Sequence, residues 1–243
     1  MSALVDAFER HDVAAIRKAL ADGVDPNALI GGKTPFVWLY EMYSRSPRFV
    51  ECLRVLLDAG AHSPDPLLTP LLLDDAEALI GNLRPVLEHR FYLDCAYTSL
   101  HGVSALHICA EYNSVNCARL LLDAGANIDD LADLQDDGTG CHSPIFHTVN
   151  SNGNYCRPML DLLVEEGASL DICVEALSWG RGFDWETTLF DVTPMSFAQM
   201  GLLPQFHRTP EHIYDNIRYL FRRKHGTAAP VRNVPNRYLM PSG

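Results

Sequence analysis

Residues 104–129 read Ser-Ala-Leu-His-Ile-Cys-Ala-Glu-Tyr-Asn-Ser-Val-Asn-Cys-Ala-Arg-Leu-Leu-Leu-Asp-Ala-Gly-Ala-Asn-Ile-Asp. A serine hydroxyl ahead of an apolar run is a helix start, because its oxygen accepts from a backbone N–H that has no partner in the first turn. A second run follows, with Val115, Ala118, Leu121 and Leu122 at helical spacing. Gly125 ends it, since glycine enters the left-handed C-terminal conformation without a Cβ penalty. The stretch therefore predicts two short helices. Neither can bury its apolar face alone, and stacking on similar pairs would make a continuous core.

The pieces recur along the chain. Similar openings stand at Thr34-Pro35-Phe36, Thr69-Pro70-Leu71, Ser104-Ala105-Leu106, Ser143-Pro144-Ile145 and Thr193-Pro194-Met195, in steps of 35, 35, 39 and 50 residues. Proline suits the first helical position, where its missing N–H would have no partner anyway. Similar endings stand at Val55–Ala61, Leu120–Ala126 and Leu162–Ala168, each with a Gly-Ala close. This period and this phrase resemble the ankyrin repeat. The resemblance implies an all-α solenoid of stacked helix-turn-helix pairs with projecting loops or short hairpins.

On that resemblance residues 1–226 form one domain, with repeats near 3–29, 32–62, 65–100, 102–129, 141–171 and 193–226, an insertion at 172–191 and an extended tail at 227–243. The third repeat is degenerate. Asp65-Pro66 is expected to start its first helix and Asp74-Asp75 its second, which Pro85 would kink or end. In the sixth, Thr209-Pro210 starts a helix with Ile213, Ile217, Leu220 and Phe221 on one face. Arg222, Arg223, Lys224 and His225 complement its negative C-terminus, and Gly226 stops it. Val231, Val234, Tyr238 and Leu239 in the tail are candidates to pack back on that repeat.

With 19 basic and 31 acidic residues the formal charge is −12. That argues against duplex nucleic acid, which needs a cationic face, and against an anionic membrane. The first ten residues have early acids and no apolar run, so no secretory signal is expected, and no stretch has the length of a membrane span. Seven cysteines, odd in number and without Cys-x-x-Cys, fit reduced thiols in a cytoplasmic protein better than disulfides or structural zinc.

Three segments depart from the repeat. Asp129–Gly140 carries five aspartates. A calcium loop starting at Asp133 fails at Gln135 and Pro144, so an acidic solvated loop is expected. The 171–191 segment holds Trp179, Phe183 and Trp185, which either pack as a satellite core or project as anchors for a partner. Residues 204–208 read as a surface loop. His107 is expected to hydrogen-bond backbone and tie the loop to its helix, and His147 to be a satisfied, partly buried imidazole. Cys141, His142, His147 and Cys156 are the nearest approach to a metal constellation but lack ligand spacing, so no metal and no cofactor is expected. Nucleophile-elbow, phosphate-loop and zinc-protease motifs are absent from the sequence.

The reading is thus a non-enzymatic protein–protein interaction scaffold, monomeric, with another protein as partner. The resemblance implies contacts on the concave face and loops, at hairpin tips and near the ends of first helices, the last at Glu41 and Met42, Glu111 and Tyr112, Asn150 and Ser151. Trp179, Phe183 and Trp185 would add to them. The alternative is an enzyme or a small-ligand or metal site where the insertion meets repeats five and six, using His142, His147 or His207.

Overall fold

Helices α1 (Ala3–Glu9) and α2 (Val13–Ala21) make the first pair, α3 (Pro35–Glu41) and α4 (Phe49–Asp58) the second. These come from a computed structural model that describes residues 3–95, 98–180, 183–184, 186–200 and 208–230. The third layer has α5 (Leu68–Leu73), α6 (Ala76–Leu79), a 3-10 turn and α7 (Leu83–Glu88). A hairpin of β1 (Phe91–Leu93) and β2 (Leu100–Val103) leads to α8 (Ala105–Tyr112) and α9 (Val115–Asp123). Then come α10 (Phe146–Val149), α11 (Arg157–Glu165), the hairpin β3 (Val174–Trp179) and β4 (Thr187–Val192), and the last pair, α12 (Pro194–Gln199) and α13 (Pro210–His225).

The layers pile up in chain order. α1 packs on α2 and α3, α2 and α3 on α4, and α5 on α4 and α8. Next, α8 packs on α9, α10 and α11, and α10 on α12, which holds α13. One apolar core runs through the stack, from Leu4 and Phe8 through Phe36, Phe49, Leu71 and Leu106 to Phe146, Leu163 and Leu220.

Local chemistry repeats with the layers. Thr34, Thr193 and Thr209 cap α3, α12 and α13, with proline following each. Ser104 and His107 form a reciprocal capping box on α8. Two of the recurring openings are not caps. Thr69-Pro70 lies inside α5, which Asp65 opens as expected: its carbonyl accepts from Leu68 N and its carboxylate from Leu67 N. Ser143-Pro144 stands in a turn ahead of α10. In layer three, Asp75 caps α6 as expected, and Pro85 falls in the first turn of the new helix α7, where its missing N–H costs nothing.

Gly125 ends α9 at φ 91°, and Ala126 N then donates to Leu121 O at 2.9 Å. The same bond closes α2, α4 and α11, from Val24 to Ala19, Ala61 to Leu56 and Ala168 to Leu163. The turns inside the pairs tie one layer to the next. Asp74 and Asn113, both left-handed, accept from Cys117 N at 2.9 Å and Met159 N at 3.2 Å, at the starts of the next layers' second helices. The expected tail packing at residues 231–239 lies outside the described residues, and so does most of the 204–208 loop.

Candidate partner-binding surface

The expected contact positions at the first-helix ends are occupied from within. Arg45, in the turn between α3 and α4, is 6% exposed. Its Nε meets the Glu111 carboxylate at 3.0 Å and its guanidinium lies 4.4 Å from the centre of the Tyr112 ring. Burial works against the Arg45 charge, but Tyr112 and Glu111 outweigh it and hold the group above its ordinary pKa. Tyr112 is itself buried, at 2% exposure, and donates its hydroxyl to Tyr40 O at 2.5 Å. Burial raises its phenol well above the ordinary value, so Glu111 is the real counter-charge of Arg45 at neutral pH.

Glu111 continues the network. His147 Nδ1 lies 3.0 Å from Glu111 Oε2 and 3.1 Å from Thr98 Oγ1, and His147 Nε2 lies 3.0 Å from His142 Nε2. A carboxylate only accepts, so His147 donates to it from Nδ1. His107 accepts from Ser104 N at Nδ1 and donates from Nε2 to His142 O at 2.9 Å, the backbone tie expected of it. Burial first, and the neighbouring His147 second, push His107 down to about 3 and His142 well below the usual imidazole range. These rings are neutral at pH 7.

Tyr112 and Ser151 are buried and Glu111 is half-buried. Tyr112 and Glu111 are engaged by the second layer, and Ser151 by its own, where its Oγ accepts from Cys156 N at 3.0 Å. Glu41 pairs with Lys33 and accepts from Asp94 N, and Met42 packs half-buried on the core. Asn150 accepts from the buried Arg208 at 2.8 Å. The structure links these positions from within: Arg45 donates to Met42 O and meets Glu111 and Tyr112, and Cys156 bonds both Glu111 O and Ser151 Oγ.

Exposed apolar side chains gather elsewhere, on three neighbouring fingers. The β1–β2 hairpin presents Tyr92. The 129–140 segment, expected as an acidic loop, is a finger closed by a Leu134–Gly140 bridge and presents Leu131 and Leu134. The β3–β4 hairpin presents Phe183 and Phe190, with Trp179 half-buried and Trp185 outside the described residues. Backbone bonds join the fingers: Asp133 N donates to Gly102 O at 3.2 Å and Gly140 N to Ala176 O at 3.2 Å. Tyr92 donates to Asp133 at 2.9 Å. Gly102, at φ 62°, lets Asp133 approach, because a Cβ there would lie 2.0 Å from its carboxyl carbon.

Sequence reasoning missed Phe190, Leu134 and Arg45. Threonine, phenylalanine and valine in Thr187–Val192, residues of high strand propensity, carried a strand signal for the first. Nothing local marks Arg45, whose partner lies two layers away. Where the insertion meets repeats five and six there is a small pocket lined by Thr98, Ser99, His142, Phe146, His147, Leu177, Ser178 and Phe197. Among the described residues no three His, Cys, Asp or Glu side chains are grouped to hold a metal ion. Cys156 instead donates to Glu111 O at 3.4 Å. No helix among the described residues is long and apolar enough to cross a membrane.

Comparison with known proteins agrees with the layering. Residues 101–133 match the family model described as the ankyrin repeat. No curated protein matches the chain. Among solved structures it is similar to the crystal structure of EF0377, an ankyrin repeat protein, at 19% identity over 90% of this chain and 96% of that one, with a TM-score of 0.39. The matched unit carries the capping box, the left-handed turn and the glycine stop of an ankyrin repeat, and its helix pair sits within a stack of similar pairs.

Proposed function

We propose that this chain is a non-enzymatic, monomeric scaffold that holds a partner protein on its finger side. Ankyrin-repeat proteins generally mediate protein–protein interaction and are generally not enzymes. The observation that carries the finer reading is the placement of apolar surface. Of the nine large hydrophobic side chains exposed among the described residues, Tyr92, Leu131, Leu134, Phe183 and Phe190 are on the three joined fingers. Apolar patches of this kind are costly in water and mark contact sites. Trp179 and Phe183 stay in this proposal, while the buried Tyr112 and Ser151 leave it. All seven cysteines are free thiols, which fits a reducing cytoplasm.

Affinity capture with the parent chain and with Leu134→Ala/Phe190→Ala tests the reading. A partner retained by the parent and by Tyr112→Phe, but lost by the double variant, supports it. Equal capture by parent and double variant moves the contact away from the fingers, and no partner above background removes the scaffold reading.

A second reading has one observation behind it, the pocket beside the Glu111–His147–His142 chain at the junction of insertion and repeats five and six. It would make the chain a receptor for a small polar ligand. His142 and His147 imidazole signals that shift on adding a small-molecule library, and do not shift in Glu111→Gln, would favour it.

A further inference from the structure

Among the described residues the outer edge of β4 is open. On its inner side β3 pairs with it from Val174 opposite Val192 to Trp179 opposite Thr187. Beyond β3 the ribbon continues through Gly140, Leu134, Asp133 and Gly102 to β2 and β1. The β1 end is closed, because Asp94 N donates to Glu41 on α3. At the β4 end, Thr188–Asp191 exchange no backbone bond with any described element other than β3. Phe190, in the middle of that edge, is 73% exposed, and Leu134 at 65% stands across Ala176 and Gly140 in the order of the ribbon.

Sheets guard exposed edges with lysine, proline, bulges or very short strands. β4 has six residues and carries no lysine and no proline. Threonine, phenylalanine and valine give it high strand propensity. Its one irregular point is Asp191, at φ 52°, next to its last residue. An edge of this kind offers its main chain to an added strand.

Charge selects the occupant. Residues 174–192 contain Glu175, Asp184, Glu186 and Asp191 against Arg181 alone, and residues 129–137 contain five aspartates and no lysine or arginine. Glu175, Asp184 and Asp191 are exposed. We infer that the outer edge of β4 takes an extended, basic segment of a partner protein as an added strand. Phe190 is its apolar anchor and these carboxylates complement its lysines and arginines. This rests on the scaffold reading and narrows it to one edge and one class of partner. A second copy of this chain is disfavoured, since pairing two such edges would set like charges side by side.

The test is selection of random octapeptides displayed on phage against the full chain, followed by affinity measurement on the free peptides. The expected peptides alternate apolar residues with lysine or arginine. They bind Phe190→Lys at least tenfold more weakly, and Glu175→Gln/Asp184→Asn binds them less tightly with a flatter dependence on salt. Thr188→Lys, which blocks the same edge without touching the anchor, gives the same loss should Phe190→Lys not fold by circular dichroism. Acidic or helix-patterned peptides, no enriched peptide, or equal affinity for the edge variants would overturn the inference. Peptides that bind the edge variants as well as the parent would leave the scaffold reading standing and remove only the edge. A parent dimer in sedimentation, dissociated by Phe190→Lys, would give the edge to a second copy and overturn the assignment.

Discussion

Arg45 of the second helix pair and Glu111 of the fourth meet at 3.0 Å inside the stack, with side chains 5% and 12% exposed. The pair reaches over the third, degenerate layer and fastens the two better-formed layers on either side of it. Removing one member leaves the other buried and charged. Arg45→Met should therefore cost about 3–5 kcal/mol in urea unfolding. Replacing both, in Arg45→Met/Glu111→Leu, should cost less than the sum of the single changes, and full additivity would mean that the pair does not couple.

Acid should weaken the fold. Burial lowers His11 to about 4 and His107 to about 3, and holds His142 well below the usual range. The unfolded chain binds these protons near pH 6.5 and the native chain does not, so stability is full above 6.5 and falls as pH drops toward 4. Each proton is worth about 1.4 kcal/mol per pH unit, so the three histidines together should remove roughly 3–4 kcal/mol between pH 6 and pH 5. Urea midpoints at the two values measure it, and a midpoint that does not move would contradict the burial of these rings.

Tyr112 is a structural residue. Tyr112→Phe deletes only the hydroxyl donated to Tyr40 O and should cost about 1 kcal/mol while leaving partner capture unchanged. A variant that folds normally and loses its partner would return Tyr112 to the contact surface.

Two glycines separate conformation from crowding. Gly125→Ala meets nothing within 4 Å and is strained only by φ 91°, so it should cost about 1 kcal/mol. Gly102→Ala forces a Cβ to within 2.0 Å of the Asp133 carboxyl carbon and should cost more, with exchange at the Asp133 amide sped up as the two fingers part.

The stack was legible because each layer writes its own local chemistry. Thr-Pro starts and Gly125 act within a few residues of their own helices, and so leave a trace in the order of residues. The surface was not legible in the same way. Whether Tyr112 faces a partner or the core is decided by Arg45, distant in sequence, and no periodicity reports that. The recurring openings at Thr69 and Ser143 are not caps: Asp65, the expected start, opens α5 earlier, and a turn precedes α10. Thr187–Val192 has residues of high strand propensity, but its polar and apolar residues do not alternate, so no period marks Phe190 as the exposed side chain.

The account stands most directly on where a partner lies. Amide hydrogen exchange of the full chain, with and without the tightest octapeptide from the selection, answers that. Slowed exchange at Thr188–Asp191 on β4, with Glu111 and Tyr112 unchanged, is the predicted result. Protection along the first-helix ends, or none on the fingers, would contradict it.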